Sequence, residues 1–273
     1  MLNRISIISI NLNNTNGLKN TIDSIRNQSV QPFEYVVIDG GSNDDLSDLI
    51  NENSKFITNY ISEHDDGIYD AMNKGASICN GEWIGFLNSG DTYNPDVVRE
   101  LSMSLKNSEF DFTIGSVDIL DKFGVKMFTK NPLFKKNGFL KMTEMPAAHL
   151  SIFVKKDLFE KLGGFNKNFS ISADYDFVSR LYEKTKRFHT FKNIVGKFYL
   201  GGISGNPKRF IEDFKILRRN QVSFFFASMI TLKKYVSYAL DFIIPNQLKQ
   251  LRYRLLSKWK IKANLIFQFC LLS

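Results

Sequence analysis

The feature that most constrains this chain is a repeated alternation of short apolar runs with helix-length amphipathic stretches, each run breaking off into polar residues. Arg4 to Asn11 alternates like a strand, Gly17 to Asn27 has helical spacing, Glu34 to Ile38 is a second strand, and a helix starts at about Leu46. Phe56 to Ile61 then reads as strand, Gly67 to Cys79 as helix, Trp83 to Leu87 as strand, and Pro95 to Leu105 as a helix with proline in its first turn. Such repetition predicts an α/β fold, with a mostly parallel sheet covered by helices on both faces.

From Phe110 to Phe128 the pattern shortens around the turn Asp121-Lys122-Phe123-Gly124, which predicts a hairpin or meander beside that sheet. Further on, Ser151 to Val154 reads as strand, Lys156 to Leu162 as a short helix ending at Gly163-Gly164, Ala173 to Lys184 as helix and Phe188 to Leu200 as strand. After Pro207 the chain turns helical, basic and aromatic. A catalytic-type domain over 1–206 and a basic helical extension over 207–273 are therefore expected. Residues 207 to 262 carry 13 Lys/Arg against 3 Asp/Glu, which leaves 23 bases against 25 acids in the rest and confines the net charge of +8 to the extension.

Cys79 and Cys270 lack any metal-ligand or disulfide spacing, so a reducing compartment fits best. The first residues lack the regions of a signal peptide, and the apolar stretch Val222 to Ile230 is too short to cross a bilayer. A cytoplasmic location is expected.

Ligands of parallel sheets bind outside the carboxyl ends of the strands. Here those ends are Asn11, Asp39-Gly40-Gly41-Ser42-Asn43-Asp44, Ser62-Glu63-His64-Asp65-Asp66-Gly67 and Asn88-Ser89-Gly90-Asp91. Asp39 can present a carboxylate to a base or ribose, or simply belong to a turn in which Asp44 caps the next helix. Asp91 is a hard oxygen ligand for Mg²⁺ or Mn²⁺, or a cap for the helix after Pro95. Asp70 and Lys74 have ion-pair spacing. Asp174 and Asp176 open a helix, where two carboxylates favourably meet the helix dipole.

In their order these segments resemble the family 2 glycosyltransferases of GT-A fold, of the bacterial surface-polysaccharide type, over about 4–206. The resemblance rests on Ile8-Ser9-Ile10-Asn11, Val37 to Asp44, Ser62 to Gly75, Gly81-Glu82-Trp83-Ile84, Phe86 to Asp91, His149, Gly163-Gly164-Phe165 and Ser172 to Phe177. It implies a Rossmann-like GT-A sheet, a nucleotide-sugar donor, a base contact at Asp39, and a donor pocket with Asn11, Asp65, Asn73, Lys74 and Asn88. It also implies a divalent cation at Asp91 and a general base at Asp174, with His149 and Asp176 as further contacts to donor or acceptor; a satisfied core histidine is the other reading of His149. Gly201-Gly202-Ile203-Ser204-Gly205 resembles a segment of the same transferases that would put Ser204 near the donor phosphates; a plain connecting loop is the other reading. Asn88 and Gly90 stand where the family's metal motif commonly carries Asp. The Gln-x-x-Arg-Trp signature of processive synthases is absent, the only tryptophans being Trp83 and Trp259.

The expected function is thus non-processive, inverting transfer of a sugar, from a UDP-sugar, to a lipid-linked or oligosaccharide acceptor. Basic helices with aromatic anchors suit an anionic membrane surface on the inner face of the cytoplasmic membrane; packing of the aromatic face on the catalytic domain or on a second copy is the alternative. No nucleic-acid-binding pattern accompanies the basic charge. A sugar nucleotidyltransferase would need an early glycine-rich phosphate loop that is not found, and a non-catalytic sugar-nucleotide or glycan-binding module stays open because the metal motif is reduced.

Overall fold

A computed structural model describes residues 4–107, 109–133, 143–202 and 205–243. In chain order the elements are β1 (Ile5–Asn11), α1 (Thr15–Arg26), β2 (Glu34–Asp39), α2 (Ser47–Glu52), β3 (Asn59–Ser62), α3 (Ile68–Ile78), β4 (Trp83–Phe86), β5 (Thr92–Tyr93) and α4 (Val97–Asn107). They continue as β6 (Phe112–Ile114), β7 (Val117–Leu120), β8 (Lys126–Lys130), β9 (Phe153–Lys155), α5 (Lys156–Lys161), α6 (Ala173–Lys184), β10 (Phe188–Thr190), β11 (Gly196–Tyr199), α7 (Lys208–Arg219) and α8 (Phe224–Ile243).

The main sheet runs β10-β6-β9-β4-β1-β2-β3, and β9 alone among these strands is antiparallel to its neighbours. β1 and β2 are buried along their whole length because helices cover both faces, polar Ser6, Ser9 and Glu34 included. Successive residues still divide between two cores. Ile5, Ile7, Tyr35 and Val37 meet α1, α2 and α4, while Ile8, Ile10, Val36 and Ile38 meet α3, α5 and α6. α3 lies so close to the sheet that a Cβ on Gly75 would stand 2.4 Å from Ile8 Cγ2. Only glycine fits there without moving the helix.

The chain leaves β1 toward β2 and β3, then returns to place β4 on the other side of β1. That reversal opens a crevice at the carboxyl ends of β1 and β4. A second sheet, β5-β11-β7-β8, stands beside it. β7 and β8 form the expected hairpin, whereas β6 joins the main sheet.

Three local expectations shift. Phe56 lies in a turn, its N–H bonded to Asn53 O, and its ring packs on Tyr35 at 5.5 Å, so β3 begins only at Asn59. His149–Ser151 is a turn of 3₁₀ helix that delays β9 to Phe153. Phe188 to Leu200 divides into two strands that belong to different sheets.

α7 and α8 pack on each other, with the Phe210 ring 5.6 Å from Tyr235 and 5.5 Å from Tyr238. α7 also touches α6, and its Phe210, Ile216 and Leu217 are buried. On the other side of α8, Phe225, Met229, Leu232 and Val236 follow helical spacing and are exposed, Phe225 at 67% and Leu232 at 62%. Among the described residues no helix is long and apolar enough to cross a membrane.

Candidate active site

At the rim of β1 and β2, Asn11 and Asp39 are register partners, and Asn11 Nδ2 donates to Asp39 Oδ1 at 2.9 Å. Ser42 gives Asp39 two more bonds, from its N–H at 2.9 Å and from Oγ at 2.5 Å, and Ser62 Oγ donates a fourth at 2.8 Å. Burial, at 1% exposure, would raise the Asp39 pKa, but the bonds from Ser42, Asn11 and Ser62 outweigh it and hold the group below its ordinary value. Four donors occupy the acceptor sites of a carboxylate. Asp39 therefore anchors its own turn, while the buried Asn11 Oδ1 beside it is left without a partner.

Asp44 does not cap the following helix. Its Oδ2 accepts from Thr15 N at 2.9 Å and from Thr15 Oγ1 at 2.5 Å, at the start of α1, while Asp45 takes the Ser47 N–H that opens α2. Asp65 accepts from Gly67 N at 2.8 Å and sits over Gly40, where a Cβ would come within 2.5 Å of Asp65 Oδ2. Lys74 reaches the loop after β3 through Glu63 at 2.9 Å and His64 O at 3.1 Å, and pairs with Asp70 of its own helix at 3.4 Å. The spacing-predicted pair with Asp70 is present. Asn73 takes another course, as its amide brackets the Phe165 backbone, donating to O and accepting from N at 2.9 Å each. Both ends of that side chain hold the Gly163-Gly164-Phe165 turn against α3.

After β4 the chain folds over α1, where Thr21 Oγ1 donates to Asp91 O at 2.8 Å and accepts from Gly90 N at 3.0 Å. Gly90, with φ of 100°, makes that bend possible. The turn buries Asp91 to 5% exposure, and its Oδ1 accepts from Tyr199 N of β11 at 3.1 Å. Burial pushes its carboxyl up to about 8, and burial together with the nearby Lys130 charge lowers His149 to about 4. Asp91 Oδ2 faces His149 Nε2 at 3.8 Å, too far for a hydrogen bond, and both that nitrogen and Asn88 Oδ1 are buried without a partner. A carboxylate oxygen and an imidazole nitrogen left open to each other suit Mn²⁺ better than Mg²⁺, which takes oxygen ligands, provided diphosphate and water oxygens complete the shell. They must, since no group of three His, Cys, Asp or Glu stands together among the described residues.

Asp174 opens α6. Its Oδ1 accepts from Tyr175 N at 2.8 Å and lies 3.1 Å from Tyr69 OH, which also donates to Ile171 O at 2.7 Å. Burial raises the Asp174 pKa above its ordinary value, against the opposing pull of Tyr175 N–H, Tyr69 and the Lys130 charge. Lys130 thus acts on both His149 and Asp174, and its Nζ is 3.3 Å from Ala147 O. Asp176, two residues on, is 1% exposed and bound by Arg180 Nε at 2.8 Å and by Arg219 of α7. Its carboxylate ties α6 to α7 and is spent there. Ser204 lies outside the described residues.

Sequence reasoning missed Tyr69, Lys130 and Glu212. Tyr69 stood within a quoted motif without being singled out, Lys130 gave no local signal at the end of a hairpin, and Glu212 is an acid in a basic helix.

The family model for Glycosyl transferase family 2 matches residues 6–163. A PGL/p-HBAD biosynthesis glycosyltransferase of Mycobacterium bovis is 29% identical over 228 residues, covering 80% of this chain and 84% of the relative. Among solved structures, residues 1–349 of S. aureus TarS in complex with UDP superpose with a TM-score of 0.64 at 15% identity, over 84% of this chain and 69% of that one. The mannosyltransferase PcManGT of Pyrobaculum calidifontis, in complex with GDP-Man and Mn²⁺, gives 0.56 at 14% identity, over 87% and 75%. The sheet with its reversal at β1, the polar strand ends and a match over more than half of the chain agree: this chain is a glycosyltransferase of GT-A-type fold that belongs to glycosyl transferase family 2.

Proposed function

We propose that this protein is a non-processive, inverting glycosyltransferase that passes one sugar from a UDP-sugar to a lipid-linked or oligosaccharide acceptor in surface-polysaccharide assembly. The observation that carries the reading is Asp174, a carboxylate with a raised pKa, held by Tyr69 and sharing the Lys130 field with His149, which in turn faces Asp91. In this reading the acceptor O–H attacks the anomeric carbon opposite the diphosphate, Asp174 takes the proton, and the bond from anomeric carbon to diphosphate oxygen breaks with its electron pair. Mn²⁺ or Mg²⁺, when bound, neutralises the negative charge on the diphosphate. Asp91 and His149 would hold the cation, Lys130 would add fixed positive charge, and Asn11 with the Asp39 turn would receive the nucleoside.

The donor class draws on TarS, solved with UDP, and the cation on PcManGT, solved with GDP-Man and Mn²⁺. The PGL/p-HBAD biosynthesis relative supports a role in cell-surface glycoconjugates. Purified protein given UDP-, GDP- and dTDP-sugars with Mn²⁺ or Mg²⁺ is expected to release UDP slowly to water and faster with acceptor. Pyrophosphate release from a nucleoside triphosphate would instead mark a nucleotidyltransferase, and binding without any release a non-catalytic module.

Docking on an anionic membrane is the proposed role of the exposed α8 stripe, beside which Lys233 is an exposed base. Phe225→Asp with Leu232→Asp should cut sedimentation with vesicles containing anionic lipid while leaving UDP release in solution unchanged. Equal sedimentation of variant and parent would remove docking through α8.

A further inference from the structure

Three consecutive backbone N–H groups of the segment just before α6 converge on one buried carboxylate of the C-terminal helices. Glu212 of α7, 3% exposed, accepts from Ser170 N at 3.0 Å on Oε1, and from Ile171 N and Ser172 N at 2.9 Å each on Oε2. Ser170 Oγ adds a fourth bond to Oε1 at 2.9 Å. The same stretch is held from the other side, since Tyr69 OH donates to Ile171 O and touches Asp174 Oδ1. Its last residue, Ser172, is the N-cap of α6 yet makes no side-chain cap bond; its Oγ donates instead to Asp213 Oδ1 at 2.9 Å, and Asp213 is paired with Lys234 of α8 at 2.7 Å. A buried carboxylate that satisfies three orphan N–H groups fixes the backbone more tightly than side-chain packing would, because each unmade bond would leave a buried donor without a partner.

We propose that Glu212 is a positioning residue for the transfer reaction, acting through the 170–172 backbone to set where Asp174 meets the acceptor hydroxyl. The inference rests on the reading of Asp174 as the base. It also makes α7 part of the machinery that supports the site.

Glu212→Gln keeps the shape of the side chain but turns an NH₂ toward N–H donors, so the segment must shift. A base displaced by about 1 Å loses on the order of 100-fold in rate. The variant is therefore expected to lose kcat on that order while the donor KM and the calorimetric UDP affinity stay as in the parent. Glu212→Asp keeps the carboxylate on a shorter stem; it should give a smaller fall, and it decides the matter if the glutamine variant does not fold. Asp111→Asn, at a buried carboxylate bound by Arg187 and Thr185 near the far edge of the sheet, serves as the stability control and should lower Tm without lowering kcat. Parent-like kcat in both Glu212 variants would overturn the proposal, as would a fall in kcat matched by equal losses of donor affinity in proportion to Tm. Asp174→Asn in the same assay separates the two ideas. If it still turns over, the base assignment has failed; if it is inactive while the Glu212 variants match the parent, only the positioning role has.

Discussion

Asp174→Asn is expected to lower kcat by about 10²–10⁴-fold, the usual contribution of a positioned general base, with UDP affinity by calorimetry unchanged. The amide keeps the volume of the side chain, so its loss reports chemistry rather than packing. The pH profile should agree. Burial raises the Asp174 pKa, and a base works only when deprotonated, so kcat should rise with pH through a limb lying above the ordinary aspartate value of about 3.9. The limb should vanish in the variant. Substituting Lys130 by Met removes a charge that opposes the upward shift, which should move the limb to higher pH. Turnover that persists in Asp174→Asn with the parent's pH profile would mean that another group takes the proton.

Asp91→Ala should have the second largest effect, and on binding rather than on proton transfer. It removes the one carboxylate of the turn after β4, the acid that faces His149 Nε2. Mn²⁺-dependent tightening of UDP, read by calorimetry with and without the cation, should fall by at least about tenfold, or about 1.4 kcal/mol. Cation-free UDP affinity should change little. An unaltered metal titration in the variant would take Asp91 out of the site.

The order of elements was legible along the chain because each depends on periodicity within a few turns. Helix α6 begins and ends where its pattern says, and β1, β2 and β4 differ from their expected spans by one residue at an end. Phe56 was misplaced because an apolar residue in a turn packs on the core as a strand residue does. The split of Phe188 to Leu200 between two sheets was not legible, since β10 pairs with β6 and β11 with β7 and β5, partners remote in sequence.

For the site, the sequence supplied the acids and the structure sorted them. Asp39, Asp91, Asp174 and Asp176 look alike as carboxylates near element ends. In the fold Asp39 is saturated by Asn11, Ser42 and Ser62, and Asp176 is claimed by Arg180 and Arg219. Asp91 is buried toward an unpartnered histidine, and Asp174 is raised by burial beside Tyr69. Asn73, read as a donor contact, is occupied by Phe165.

By itself, then, the sequence determined the α/β alternation, the strand-end position of the polar segments and the resemblance to a transferase family, because these follow from local spacing and from motif order. Only the tertiary structure decided which carboxylates are already taken up by donors, as Asp39 and Asp176 are, and that the basic C-terminal helices hold the backbone ahead of Asp174. The reason is physical. What a buried acid does depends on how many donors meet it, and here local donors such as Ser42 and Arg180 are joined by others between 23 and 108 positions away.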